Sequence, residues 1–311
     1  MYAYARQEEV YGPEKACVVC GEKEQDGRRL RVLPVYLPYE PKSQFKIVLA
    51  GDFHAGSTQC DVPLMRKFVA KYAGQPNTKI ILMGDEIDAV CRADKRFDPR
   101  NVAEKYRGER NYIDLITDDF IDLLTPLKGQ IIAGVDGNHG ASYLKGADSD
   151  PIHRLSRELM YERLGYAGWV SFVFKWHKAK NSRDGRTRTV NYFVSHGKPS
   201  SAQTPGGSLN TLASSAQWFV SDICAHGHTH RLSAGMNRIM FVPDPKHGTY
   251  KKLKQHLLQT GSFLKSYSMD QYSPYSERAL YSPIDLGWAC TQISFEEYAE
   301  PKIKCWTNEA A

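Results

Sequence analysis

At 311 residues the chain can bury a substantial core as one large or two small domains, and 41% hydrophobic with 24% charged residues is ordinary globular composition. Its apolar runs are short (Lys46 to Ala50, Lys79 to Met83, Gln130 to Val135). They fall well below the roughly 20 residues of a membrane helix, so no membrane span is expected. The net charge of +6 leans weakly towards an anionic partner, while seven unevenly spaced cysteines do not form a disulfide framework. A reducing compartment is expected: the cytoplasm, or that of a host if the chain is viral.

Residues 1–42 read as an extension ahead of a main domain at 43–311. Met1 to Gly12 lacks the basic start and apolar stretch of a secretory leader. The extension holds Cys17-Val18-Val19-Cys20, a polar stretch from Glu22 to Arg31, and prolines at Pro34, Pro38 and Pro41. Cys17 and Cys20 have half the spacing of a zinc ribbon, with no second pair to complete it. The alternatives are a zinc knuckle completed by distant residues, taking an additional Zn²⁺, or ordinary thiols.

From Phe45 the pattern turns α/β. Lys46 to Ala50 predicts a buried strand ending in Gly51-Asp52. Asp61 caps a helix starting near Pro63, with Leu64, Met65, Phe68, Val69 and Tyr72 on one face. A second strand, Lys79 to Met83, ends in Gly84-Asp85, and a helix follows from about Asn111 to Leu127. Gln130 to Val135 predicts a third strand ending in Asp136-Gly137-Asn138-His139, and a further helix follows Pro151. Trp169 to Trp176 and Thr189 to Ser195 predict strands joined by a hairpin over Asn181 to Arg186. A helix over Leu209 to Val220 leads to Ile223-Cys224-Ala225 and His226-Gly227-His228-Thr229-His230. Short strand-like runs close the chain (Arg238 to Val242, Leu257 to Gln259, Ala289 to Phe295), which predicts a layered α/β sandwich of two sheets.

Polar ligand types gather at the predicted strand ends: Asp52-Phe53-His54, Asp85-Glu86-Ile87-Asp88, Asn138-His139, His196, and His228 with His230. Glycine sits beside each group (Gly51, Gly84, Gly137, Gly197, Gly227), as a tight turn off a strand requires. Carboxylate, amide oxygen and imidazole together suit Mn²⁺ first, then Fe, Zn²⁺ or Ni²⁺, and the lack of cysteine argues against a structural zinc there.

The ordered set Asp-x-His, Gly-Asp-x-x-Asp, Gly-Asn-His, a lone His and Gly-His-x-His, spanning Asp52 to His230, resembles the calcineurin-like metallophosphoesterase signature. The resemblance implies a four-layer α/β/β/α sandwich and two divalent metals. It implies one metal on Asp52, His54, Asp85 and His230, and a second on Asp85, Asn138, His196 and His228, with Asp85 bridging. It further implies that a bridging hydroxide attacks phosphorus, and that His139 protonates the leaving oxygen or steadies the phosphate. Relatives carry an acid after that histidine, whereas this chain has Gly140. Either another carboxylate substitutes, Asp88 (a residue that supports rather than holds metal) ahead of Asp136 or Asp150, or acid assistance is weaker.

Other residues are read more blandly. Glu86 is expected to face away, His226 is read as a strand-end histidine, and His153, His177, His247 and His256 lack motif context. Around the site, Arg92, Lys95, Arg96 and Arg100 form the favoured cluster for extra phosphates. Tyr143 and Lys145 follow the third motif, and Pro199 to Ser208 is a candidate lid after Lys198. The expected substrate is a phosphate ester, with a phosphodiesterase or nuclease acting on nucleic acid or nucleotide as the leading reading. The alternatives are a phosphomonoesterase and, more distantly, a non-catalytic scaffold.

Overall fold

The structure is a computed structural model describing residues 30–309 apart from 93, 95–96, 148, 177–186, 199–203, 268–274, 279 and 297–299. Cys17, Cys20, Lys95, Arg96, His177, the Asn181 to Arg186 turn and the first part of the expected lid therefore lie outside the described residues. In chain order the first half runs β1 (Arg31–Tyr39), β2 (Gln44–Ala50), α1 (Val62–Tyr72), β3 (Thr78–Leu82), α2 (Tyr112–Leu124) and β4 (Ile131–Gly134). Next come α3 (Asn138–Ala147), α4 (Pro151–Leu159), β5 (Glu162–Arg163), β6 (Ala167–Trp176) and β7 (Thr187–Ser195). The remainder is α5 (Pro205–Ala216), β8 (Ile223–His226), β9 (Leu232–Asp244), β10 (Thr249–Thr260), β11 (Gly287–Ser294) and β12 (Lys302–Glu309).

The strands form two six-stranded sheets, ordered β1-β6-β7-β8-β10-β9 and β12-β11-β2-β3-β4-β5. Strand alternation explains how they stack. Ile47 and Leu49 of β2 and Ile81 of β3 meet Val170, Phe172, Tyr192 and Leu258 in a core between the sheets. Their neighbours Val48, Ala50, Ile80 and Leu82 point the other way, against Phe68, Ile113, Phe120 and Leu155 of the helices. A smaller core packs Phe193, Cys224 and Leu257 under Leu212 and Ala216 of α5. Helix, sheet, sheet and helix thus make four layers, as expected. Parallel pairing of β2, β3 and β4, and of β7 and β8, aligns the C-terminal ends within each sheet.

Three boundaries differ from the sequence reading. Residues 31–39, assigned to the extension, are β1, paired in parallel with β6 from Arg31 against Gly168 to Tyr39 against Trp176. Its prolines are tolerated because β1 is an edge strand, which has a side that owes no ladder hydrogen bond. The helix expected from Leu209 begins at Pro205, where the Thr204 side chain accepts from the Gly207 N–H. The end of the expected lid is therefore a capped first turn. Asn138–Ala147, read only as a motif, is helix α3 despite Gly140 and Gly146. A Cβ on Gly140 would lie 2.8 Å from Ile152 Cγ1, so glycine permits α3 and α4 to pack closely.

Deleting residues 1–42 should strip β1 from β6 and remove buried Val35 and Tyr39 from the inter-sheet core. A fall in Tm on the order of 10 °C is expected by scanning calorimetry. An unchanged Tm would show that β1 contributes nothing to the fold.

Candidate metal centre

Five loops deliver the motif residues to one place. Asp52 and His54 follow β2, Asp85 follows β3, Asn138 and His139 open α3, His196 follows β7, and His228 and His230 follow β8. The first two loops are zipped together: the Asp52 N–H donates to the Gly84 carbonyl and the His54 N–H to the Asp85 carbonyl. The Phe263 N–H and the Ser262 hydroxyl both donate to the Asp52 carbonyl, at 3.0 and 2.9 Å.

Five of these residues have left-handed backbones, with φ of 50° at Asp52, 47° at His54, 50° at Asp85, 64° at His228 and 56° at His230. Each costs about 1–2 kcal/mol for a residue with a Cβ, which marks a geometry that the surrounding structure enforces. Glycine is needed where backbone must pass close to a ligand. A Cβ on Gly137 would sit 2.0 Å from Asp85 Oδ1, and one on Gly84, at φ +89°, would sit 2.5 Å from His196 Nδ1.

The donor atoms fall into two sets. In the first, His54 Nε2 lies 3.2 Å from His230 Nε2, which lies 3.3 Å from Asp52 Oδ1. In the second, His196 Nε2 lies 3.1 Å from Asp85 Oδ2, 3.1 Å from Asn138 Oδ1 and 3.2 Å from His228 Nδ1. Ligand atoms at about 2.0–2.2 Å from one cation stand roughly 3–3.4 Å apart, so both sets have coordination spacing. Asp85 also groups with His54 and His139 within 4.8 Å, so it lies between the sets. The His196 Nδ1–H donates to the Met83 carbonyl at 2.8 Å, which leaves the Nε2 lone pair facing the cluster. Asp52 Oδ1 is buried without a hydrogen-bond donor among the described residues. The donor set therefore fits a pair of divalent cations.

The electrostatics of the protein groups point the same way. Burial raises the Asp85 carboxyl, but His139 and His196 outweigh it and hold the group far below the usual carboxylate range. His228, buried next to His196, is pushed down to about 4, so it stays a neutral lone-pair donor. Burial works against the His196 imidazolium, yet the bond to Asp85 raises its pKa to about 9. A cation would displace that proton.

His139 Nδ1 lies 2.8 Å from Asp88 Oδ1, and its Nε2 lies 4.0 Å from Asp85 Oδ2. Asp88 also lies 3.6 Å from His54 Nδ1. Burial opposes its charge, but the bonds to His139 and His54 hold the carboxyl well below its ordinary value. Asp136 and Asp150, the alternative partners of His139, are instead paired with Arg163. A side chain at Gly140 would meet Ile152, its Cβ lying 2.8 Å from Cγ1.

Other expectations are revised. Arg92 donates to the Glu109 carbonyl and lies over the Tyr112 ring, and Arg100 forks onto Asp98. His226 is a buried strand-end residue, pushed down to about 4 by burial and then by Lys198 and His196. Lys145 is exposed, Tyr143 is half-buried, and His153, His247 and His256 lie outside the metal-ligand groups. Glu86 lies outside the metal-ligand groups: it is fully buried, its Oε1 accepts the Gly84 N–H, and burial followed by the Asp85 charge pushes it up to about 8. Tyr166 went unnoticed in the sequence. Its ring stands edge-on 5.6 Å from His196 and its carbonyl accepts the His196 N–H, yet no motif precedes that strand start.

No family model and no curated protein sequence matches this chain. Among solved structures, a Vps29 single mutant from Entamoeba histolytica is 15% identical, covering 86% of this chain and 100% of that one, with a TM-score of 0.38. A conserved uncharacterized protein from Streptococcus pneumoniae, a predicted phosphoesterase, is 13% identical over 86% of this chain and 99% of that one, with a TM-score of 0.32. The nuclease MPE of Pseudomonas putida is 13% identical over 84% of this chain and 87% of that one, with a TM-score of 0.32. At such values the chemistry of the site rests on the chain's own geometry.

Glu86 yields a pH prediction for protein held metal-free with chelator. Unfolded, the carboxyl ionises near its ordinary 4.5, whereas the folded chain keeps the proton up to about 8. Its contribution to stability is therefore fully present below 4.5 and is lost as pH rises through 8. Glu86→Gln should flatten the fall of Tm between those limits relative to wild type. Parallel Tm–pH curves for the two proteins would contradict this.

Proposed function

We propose that the chain is a binuclear, metal-dependent phosphoesterase of the calcineurin-like metallophosphoesterase kind, acting on phosphodiesters of nucleic acid or nucleotides. One observation carries the reading: lone-pair donors from five separate loops converge at 3.1–3.3 Å in two sets, with Asp85 between them. Asp52, His54, Asp85 and His230 would hold one cation, and Asp85, Asn138, His196 and His228 the other. When bound, the metals supply Lewis acidity towards phosphoryl oxygens and lower the pKa of an attacking water.

The protein's own part is positioning and proton transfer. The Asp88 carboxylate, 2.8 Å from His139 Nδ1, favours the imidazolium, so that Nε2 can carry a proton to the leaving alkoxide oxygen. The buried, left-handed loops hold the donors in place before substrate arrives, so little reorganisation is needed during the reaction. The excess of basic residues favours a polyanionic diester over a small monoester.

Hydrolysis of bis-p-nitrophenyl phosphate, p-nitrophenyl phosphate and a DNA oligonucleotide with Mn²⁺ tests the reading. Turnover of the diester and the oligonucleotide is expected; turnover of the monoester alone would replace it with a phosphomonoesterase. Asp85→Asn should abolish turnover of every ester. His139→Ala should retain metal while kcat falls roughly 10²–10⁴-fold. Asp88→Asn should lower kcat and move the alkaline limb of the rate profile to lower pH, because the imidazolium loses its carboxylate. An unshifted limb would remove Asp88 from proton transfer.

A further inference from the structure

Strands β9 and β10 run on past the sheet that anchors them. β10 pairs with β8 only over His256–Gln259, against Ile223–His226. Residues 249–255 therefore continue beyond the start of β8 with β9 alone beside them among the described strands, and a turn at 245–248 closes a two-stranded ribbon. β10 runs parallel to β8, whose end carries the ligand loop, so the tip projects off the edge opposite the metal centre. Gln259 pairs at the level of His226. Lys252 lies about 23 Å back along β10, at about 3.3 Å per residue.

Directly opposed residues share a face of an antiparallel pair. Phe241 opposes Lys252, Ile239 opposes Lys254, and Pro243 opposes Tyr250. One face thus combines Ile239, Phe241 and Tyr250, exposed by 57%, 62% and 56%, with exposed Lys252 and Lys254. The Phe241 and Tyr250 rings meet edge-to-face at 4.8 Å. On the other face Gln255 is buried and donates to the Phe219 carbonyl. Residues 238–255 hold five Lys and Arg against a single Asp, so this ribbon is strongly basic. That one acid, Asp244, is already paired with Lys251 and His247.

We propose that the exposed ribbon face is a binding site for single-stranded nucleic acid, remote from the metal centre, with Phe241 and Tyr250 stacking on bases and Lys252 and Lys254 meeting phosphates. Unpaired bases offer the π-faces that exposed aromatic rings take up, and a polyanion matches the local charge. A second copy of the chain would bring two ribbons of like charge together, which opposes self-association. The link to catalysis rests on the phosphodiesterase reading: a strand held at both places must span more than about 23 Å, or at least roughly seven nucleotides at 3.4 Å each.

Two variants test this, Phe241→Ala/Tyr250→Ala and Lys252→Ala/Lys254→Ala, both confined to exposed side chains and checked for unchanged Tm. Binding of a fluorescein-labelled 30-nucleotide single strand is measured by anisotropy in chelator, and hydrolysis of bis-p-nitrophenyl phosphate is measured with Mn²⁺. The aromatic pair should weaken binding at least tenfold, and the lysine pair should reduce the log–log salt slope by about 1.4. Both should leave diester hydrolysis unchanged. Wild-type affinity in both variants would overturn the proposal, as would loss of a wild-type dimer or of anionic-vesicle binding without loss of oligonucleotide binding. Failure of the phosphodiesterase reading looks different: no diester hydrolysis by wild type, with ribbon-dependent binding intact.

Discussion

Lone pairs forced together dominate this structure. His54 and His230 place Nε2 atoms 3.2 Å apart, and His196 Nε2 faces Asp85, Asn138 and His228 at nearly the same spacing. With the imidazole protons turned away, these nitrogens, an amide oxygen and carboxylates present only lone pairs in those directions, and burial withholds water from most of them. Protons can relieve part of the conflict, as the raised pKa of His196 and the lowered pKa of Asp85 indicate. Cations relieve all of it. The left-handed backbone of five of these donor residues belongs to the same constraint, since relaxed loops would let the donors drift apart.

The layered fold makes this convergence affordable. The inter-sheet core fixes the ends of β2, β3 and β4 against those of β7 and β8, so ligands more than a hundred residues apart arrive on one edge. His196 shows the coupling directly: it follows a strand of one sheet and is oriented by the Met83 carbonyl, which follows a strand of the other. β9 and β10 extend the other way from the same sheet, so the ligand edge and the basic ribbon occupy opposite ends of one rigid element.

Much of the site was legible because its chemistry is local in the chain. Asp-x-His, Gly-Asp-x-x-Asp and Gly-His-x-His each sit at the exit of a short apolar run, and strand periodicity located those exits. What stayed hidden depends on contacts that cross the chain. Asp88 was the expected partner of His139, but Gly140 looked like a missing acid until Ile152 was seen to fill its space. Prolines in β1 read as part of an extension because an edge position cannot be inferred from the segment itself. The ribbon was underestimated for a related reason. Its lysines and aromatics alternate across two strands, so neither strand alone shows a face.

The central claim is that Asp85 lies between two cation sites. Protein stripped with chelator, then titrated with Mn²⁺ or Zn²⁺ and assayed for bound metal by mass spectrometry, tests it most directly. Two equivalents per chain are expected for wild type, with loss of paired binding in Asp85→Asn. Wild-type protein that takes up no metal, or an Asp85→Asn variant that still binds two equivalents as tightly, would contradict it.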